Sequence, residues 1–191
     1  MNRIFRRAVV AASSLGVAGG IMVTALPASA ATPVRSWGAS ASGPVHFGEV
    51  APATPFFTPG VASNANYTNF LTTGVIIDRA SPSTAYSLVN SPLVNLSSLL
   101  ATIRASQVTS YCHLVAPFVT FGGASIFSGS ISQIGEPGYN PLTNPAPNTT
   151  VFGAGFSVTF NKQTVSLGVR TVTAIYVKSG SQTLSLGVSR C

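Results

Sequence analysis

Two cysteines, Cys112 and Cys191, are the side chains of this 191-residue sequence with the clearest covalent chemistry. In an oxidising compartment, an even number of cysteines usually pairs as disulfides. One Cys112–Cys191 disulfide is therefore predicted if the chain is exported, with two free buried thiols as the alternative. A catalytic cysteine is less favoured, because His113 would point to the opposite face from Cys112 if both lie in a strand.

The histidines and carboxylates that could act in catalysis or metal binding are few. His46 and Glu49 form the one close His/Glu pair, but in a strand they would face opposite ways, which spoils a metal clamp. Asp78 and Glu136 could meet in the fold as a carboxylate pair of the glycosidase kind. The Gly122-Gly123 segment lacks the lysine and spacing of a phosphate loop, and no serine lies in a nucleophile motif. We therefore predict no catalytic, cofactor-binding or metal-binding residues.

The first thirty residues have the pattern of a secretory signal. Three arginines precede an apolar stretch from Ala8 to Leu26, and the small residues Ala28-Ser29-Ala30 follow it. A signal peptidase reads small residues at these positions, so cleavage is predicted after Ala30. Two alternatives stay open: twin-arginine export through Arg6-Arg7, and retention of Ala8–Leu26 as a membrane anchor. The signal indicates a secreted, extracellular protein, with association at the cell surface as an alternative.

The predicted mature chain, residues 31–191, has the usual length of one domain and can bury a core. Its seven basic and three acidic residues give a net charge of +4. The bases are scattered singly along the sequence: Arg35, Arg79, Arg104, Lys162, Arg170, Lys178 and Arg190. A nucleic-acid surface concentrates positive charge, so no nucleic-acid partner is predicted, and cell-envelope components are the partners to consider. No stretch of the mature chain reaches the roughly eighteen apolar residues of a transmembrane helix.

Alternation of apolar and small polar residues dominates the mature chain and predicts β-strands with one buried face. Residues 151–191 are predicted as a four-stranded meander, with turns at Asn161-Lys162 and Ser179-Gly180. Further strands are predicted at residues 74–78, 107–115 and 118–127. The fold class that follows is all-β: a single antiparallel β-sandwich or barrel-like domain.

Three further expectations concern one ambiguous segment, two proline-rich segments and the interior. Leu93, Leu96, Leu99, Leu100 and Ile103 have helical spacing, so one short helix is considered near residues 92–104. Two proline-rich segments, residues 44–59 and 137–147, are predicted as loops or edges, because proline donates no ladder hydrogen bond. The predicted core includes Trp37, Ile76, Val108, Phe156, Phe160, Val172, Ala174 and Leu186.

Three segments share their order and their cysteine placement with a known family. They are Ser36–Gly43 followed by the proline-rich Ala51–Gly60, the segment Val94–Cys112, and Asn161–Gln163 with Thr171–Val177 before a short strand and a cysteine. In this order they resemble the choice-of-anchor P proteins of actinobacteria. The resemblance implies a secreted or surface all-β domain of undefined biochemical role, with no assigned active site.

Three classes of function are compatible with these patterns. The favoured one is a non-enzymatic extracellular or cell-surface structural or binding domain. The second is an envelope pore or lipid-facing β-barrel, which the long uncharged span and the alternation favour. The third is a cell-wall hydrolase, which would need Asp78 and Glu136 in one cleft.

The export signal makes a direct prediction about the secreted protein. The mature chain should begin at Ala31, because Ala28-Ser29-Ala30 is the small-residue site that closes the apolar stretch. N-terminal sequencing of secreted material measures this. A first residue before Val23 or after Trp37 would contradict it.

Overall fold

The structure, a computed structural model, describes residues 34–55, 59–62, 64–67, 69–116 and 119–191. The predicted signal, residues 1–30, lies outside the described residues. Within the described ranges the chain forms sixteen β-strands and one 3-10 turn at Ser97–Leu99. The strands are β1 Arg35–Ser42, β2 Phe47–Val50, β3 Gly60–Ala62, β4 Ala65–Tyr67, β5 Leu71–Thr73, β6 Ile76–Ala80, β7 Thr84–Asn90, β8 Leu93–Leu96, β9 Ala101–Arg104, β10 Gln107–Ala116, β11 Val119–Phe127, β12 Ser130–Gln133, β13 Thr149–Gly153, β14 Phe156–Ser166, β15 Val169–Ser179 and β16 Gln182–Arg190.

The strands form three antiparallel sheets, and the all-β prediction is confirmed in its sandwich form. Sheet one has the order β13-β14-β15-β16-β1-β2. Sheet two has the order β11-β10-β7-β6-β3, and sheet three has the order β12-β9-β8-β5-β4. Each sheet ends in edge strands, and one hydrophobic core joins residues of all three, including Phe160, Ile76 and Val94.

Sheets two and three are successive stretches of one bent layer. Their strand orders match one for one, because β5 runs into β6, β7 into β8, β9 into β10 and β11 into β12. Backbone hydrogen bonds continue across the bend, from Gly74 N–H to Asn90 O at 2.8 Å and from Ser106 N–H to Phe127 O at 2.9 Å. The second layer is therefore a meander whose strands all bend at the same level.

The strand pairing of sheet one is also interrupted along one row of residues. The ladders that join β14, β15, β16 and β1 are continuous except along one row, which crosses these strands at Asn161, Ala174, Gly187 and Gly38. Asn161 and Gly187 in this row have positive φ, at 50° and 60°. Glycine adopts such a conformation without steric cost, and asparagine tolerates it better than most other residues.

At this bend row, every one of the four strands changes which alternate residues are buried. In β15, for example, Val172 and Ala174 are buried up to and including the row, and beyond it Ile175 and Val177 are buried. The change occurs at the same level in all four strands, so residues on both sides of the row keep one-to-one cross-strand partners. The inner face of sheet one therefore stays buried on both sides of the row although the strict period of two is interrupted.

The predicted core is confirmed with one exception. Ile76, Val108, Phe156, Phe160, Val172, Ala174 and Leu186 are all buried. Trp37 is only half-buried, because it lies on the outer face of β1, where its indole Nε1 donates to Ser40 Oγ at 3.1 Å. The prediction that Trp37 belongs to the core is wrong.

The segment 92–104 is not a helix. It forms β8, the 3-10 turn and β9, and Leu100 ends the turn with a φ of 50°. Val94, Leu96, Ala101 and Ile103 point into the core because β8 and β9 pair with each other and with β5 and β12. Pairing on both sides outweighs the helical spacing of the leucines, since local propensity is a weak preference beside tertiary contacts.

The meander is present, and the turn predicted at Ser179-Gly180 lies one residue later, at 180–181. The Asn161-Lys162 turn is wrong, because both residues lie inside β14, where Asn161 belongs to the bend row. The hairpins turn instead at residues 154–155, 167–168 and 180–181. Phe152 consequently lies on the edge strand β13 and is 80 % exposed.

A polar layer crosses the sandwich between sheets one and two. Ser36 and Ser189 are cross-strand partners on sheet one, and Asp78, Ser87 and Ser110 form a row on sheet two. All five side chains are fully buried. Hydroxyl groups bridge the two sheets: Ser87 Oγ donates to Trp37 O at 3.2 Å, and the Ser110 and Ser189 hydroxyls lie 2.8 Å apart. Satisfied hydroxyls are tolerated in an interior where unpaired ones would be destabilising.

Asp78 is the exception in this layer, because neither carboxyl oxygen has a hydrogen-bond partner among the described residues. Burial raises the pKa of Asp78 from 3.8 to about 8, although the nearby Ser87 hydroxyl and Gly38 N–H oppose the shift. Desolvation disfavours the charged form of an acid, which is why the pKa rises. The carboxyl is therefore mainly protonated at neutral pH.

The disulfide lies next to the polar layer. The sulfur atoms of Cys112 and Cys191 are at bonding distance and the Cα atoms are 5.7 Å apart, in agreement with the predicted pair. Val34 and Ala85 pack around it. Two backbone hydrogen bonds between Arg170 and Cys191, at 2.8 and 3.0 Å, hold the end of β16 to β15.

Loss of the disulfide should lower stability. Replacing both cysteines by serine removes a cross-link over a sequence separation of 79 residues. The loop-entropy relation sets an upper figure of about 4.5 kcal/mol, or roughly 15 °C in Tm for a domain of this size. Thermal unfolding with and without reductant measures the effect, and the double variant should be insensitive to reductant. Two titratable thiols in the non-reduced secreted protein would contradict the pairing.

Asp78 should make stability depend on pH. Its pKa is higher in the folded chain than in the unfolded one, so the folded state binds the proton more tightly. The free energy of unfolding should fall as the pH rises from about 4 to about 8, by at most about 1.4 kcal/mol per pH unit, and then level off.

Denaturant unfolding across this pH range tests the expectation. Asp78→Asn should remove the decline, whereas Glu136→Gln, which changes an exposed carboxyl, should preserve it. A wild-type stability that is flat between pH 5 and pH 8 would show that Asp78 does not stay protonated in the fold.

Candidate functional site

The carboxylates considered for catalysis lie in different surroundings. Asp78 is fully buried in the polar layer, whereas Glu136 is exposed in the loop after β12. His46 and Glu49 are both exposed, and Glu49 forms an ion pair with Arg35. Within the described ranges, no three His, Cys, Asp or Glu side chains lie together as a metal site would require.

The clearest concentration of charge is on the outer face of sheet one. Alternation along the strands places Arg35 of β1, Lys162 of β14, Lys178 of β15 and Arg190 of β16 on this face, away from the core. Two aromatic residues, Trp37 and Tyr176, lie on the same face. We call these six residues the cationic face.

Antiparallel register brings the members of the cationic face together. Arg35 is the cross-strand partner of Arg190, and two ladder positions further along, Trp37, Val188, Thr173 and Lys162 form a row. Tyr176 and Lys178 lie beyond the bend row on β15. From Thr171, the partner of Arg190, to Lys178 is about 23 Å along the strand at roughly 3.3 Å per residue.

One end of the cationic face contains the single ion pair among the described residues, Arg35 with Glu49 of β2. The Arg35 guanidinium also lies 5.5 Å from the centre of the Trp37 ring. A guanidinium at this distance from an indole makes a favourable cation–π contact. Arg35 is thus held in place by both an acid and an aromatic ring.

The other end of the cationic face has two lysines and one aromatic ring. Lys162 Nζ lies 3.2 Å from the centre of the Tyr176 ring. Burial lowers the pKa of Lys162, and the positive charge of Lys178 lowers it further. The two ammonium groups are therefore close enough to repel each other.

The remaining three bases lie elsewhere. Arg170 reaches inward and donates to Thr120 and Gln163, Arg104 donates to Ser130 at the edge of sheet three, and Arg79 is exposed on the outer face of sheet two. Bases that are scattered singly in the sequence are thus gathered by strand pairing. No local sequence signal could have found them, because Lys162 is predicted in a turn and Arg35 reaches Arg190 only through strand pairing.

A second surface, the outer face of sheet two, is apolar. One row contains Arg79, Tyr86, Tyr111 and Gly123, and Phe121 lies beside it on β11. Tyr111 and Phe121 are 52 % and 57 % exposed, so the face is largely open. Burial raises the pKa of Tyr86, and the charge of Arg79 opposes the rise.

A cleft of about 280 Å³ lies between β12 and β13. Gln133, Glu136, Tyr139, Phe152 and Phe156 line it. Gln133 spans the two strands, since its amide donates to Ala154 O and its carbonyl oxygen accepts from Ala154 N–H. Glu136 is the one carboxylate that the cleft contains, so the pair with Asp78 that a hydrolase would need does not form its lining.

Within the part of the chain that the structure describes, no helix is long and apolar enough to cross a membrane. Comparison with family models, curated proteins and solved structures finds no match to this chain. The resemblance to choice-of-anchor P proteins therefore stays a prediction from the sequence.

Proposed function

We propose that this protein is a non-enzymatic extracellular or cell-surface binding domain that attaches to anionic cell-envelope components through the cationic face. The observation that carries the proposal is the collection of four bases on one face of one sheet, with one acid beside them that is already paired with Arg35. A surface of one sign attracts ligands of the opposite sign and speeds their association.

The strands that carry the cationic face are extensively paired, which suits a binding role. Its members lie on the long paired strands β1, β14, β15 and β16, and not on loops. The inner side of these strands is the hydrophobic core, and the Cys112–Cys191 disulfide is located at the end of β16. Residues on rigid paired strands are preorganised, so little ordering of the backbone is needed when a ligand binds.

The hydrolase alternative has less support from the geometry. It requires two carboxylates on either side of a bound polymer. Asp78 is sealed inside the sandwich, and the cleft that contains Glu136 has no second acid. Binding without catalysis is therefore the better-supported proposal.

Co-sedimentation with purified envelope fractions tests this function. The mature protein should bind at low salt and be released as salt rises, because exposed charge interactions are screened within about 10 Å at 0.1 M. Lys178→Gln with Arg190→Gln should weaken binding about tenfold, since each exposed charge contributes up to about 1 kcal/mol.

The matched control is Arg79→Gln with Arg104→Gln, which removes the same charge from other surfaces. It should bind nearly as well as the wild type. Equal weakening in both double variants would show that net charge, and not the cationic face, governs attachment. No binding of the wild-type protein to any envelope fraction would refute the proposed function.

A further inference from the structure

We infer that Lys162, Tyr176 and Lys178 form an oxyanion-binding subsite, in which the two ammonium groups share one phosphate or carboxylate group of an extended anionic polymer. The inference rests on the proposed function, because it names the ligand class of the same face. It goes further in assigning the contact to three residues at one end of that face.

The geometry of the three residues is set by two neighbouring strands. Tyr176 and Lys178 are two residues apart on β15, so their side chains emerge on the same side about 6.6 Å apart. Lys162 comes from β14, opposite Thr173, and extends diagonally until its Nζ lies 3.2 Å from the centre of the Tyr176 ring. The ring therefore holds one ammonium group in place on the side of the second lysine.

The charges of the subsite are not balanced by the protein. Neither lysine forms an ion pair with a described residue, since the one ion pair there joins Arg35 and Glu49. Burial lowers the pKa of Lys162, and the like charge of Lys178 lowers it further. An oxyanion between the two ammonium groups would convert this repulsion into attraction to both.

The surroundings favour an oxyanion over other ligands. The cross-strand partners of the three residues are Thr173, Thr159 and Ser157, which all have hydroxyl groups. Hydroxyl groups can donate to the phosphate or carboxylate oxygens of a ligand, whereas an Asp or Glu side chain at the same positions would repel those oxygens. The subsite thus offers two charged donors and has no carboxylate at the cross-strand positions on the neighbouring strand.

A polymer fits better than a single ion because the positive charge continues beyond the subsite. Arg190 and Arg35 lie at the far end of the cationic face, about 23 Å from Lys178 along the strands. Trp37 lies on the same face, in the cross-strand row that also contains Lys162. A chain with regularly repeated oxyanions would contact both ends, and joined contacts bind more tightly than separate ones.

The single tryptophan of the chain offers a direct readout. Trp37 lies on the cationic face, so its fluorescence should change when a polymer covers that face. The probes are polyphosphate, which presents phosphate groups, and polygalacturonate, which presents carboxylates. Tighter binding of one probe identifies the source of the oxyanion, and binding of either one at micromolar concentration is the expected result.

Three variants test the assignment to the three residues. Lys162→Gln with Lys178→Gln should weaken polymer binding at least tenfold, and Tyr176→Leu should weaken it several-fold because Lys162 loses its support. Arg79→Gln with Arg104→Gln, which removes the same charge elsewhere, should change binding less than twofold. Equal weakening in the two charge-matched pairs would overturn the subsite.

A second measurement separates the subsite from a general charge effect. The pKa of Lys162, followed by NMR of its ε-methylene group, should rise when polymer saturates the protein, and an unchanged pKa would overturn the inference. Envelope binding that survives Lys162→Gln with Lys178→Gln unchanged would also overturn the subsite while leaving the proposed function intact. Polymer binding as expected, without any envelope binding by the wild type, would refute the proposed function and support the subsite.

Discussion

The antiparallel register of β14, β15, β16 and β1 is the constraint on which the rest of the molecule depends. The same pairing that aligns Phe160, Ile175 and Leu186 in the core aligns the basic side chains on the opposite face. A strand shifted by one residue would exchange the two sets, exposing the core and burying the charges. The packing of the apolar core therefore also fixes the positions of the basic side chains on the outer face. No separate interaction is needed to assemble the cationic face.

The interior combines hydrophobic packing with a layer of buried polar side chains. Small side chains let the two layers approach closely: a Cβ added to Gly38 would collide with Ile76. The serines that bridge the sheets and the nearby disulfide hold the end where the apolar contacts are fewest. Asp78 is the one member of the layer whose side-chain oxygens have no hydrogen-bond partner among the described residues. The stability of this end of the sandwich therefore depends on protonation of Asp78 as well as on packing.

Alternation in the sequence was sufficient to predict the all-β class and most of the core, because burial of one strand face leaves a local pattern. It misled at segment 92–104, where leucines spaced three and four apart also fit two short strands joined by a turn. It misled again at Asn161, because asparagine tolerates the positive φ of a turn and has a positive φ here inside a strand. The cationic face could not be predicted, since it joins Arg35 and Arg190 from opposite ends of the mature chain through pairings that no local pattern encodes.

The bend row of sheet one ties the lengths of four strands to one another. Each of these strands contains one residue that breaks the two-residue period at the same level. Deleting that residue from a single strand would restore the alternation in that strand. The side chains on one side of the deletion would then point to the opposite face of the sheet from those of the neighbouring strands. Insertions and deletions in these strands would therefore be acceptable to the fold only as a concerted set, which confines length variation during divergence to the hairpin tips and the proline-rich loops.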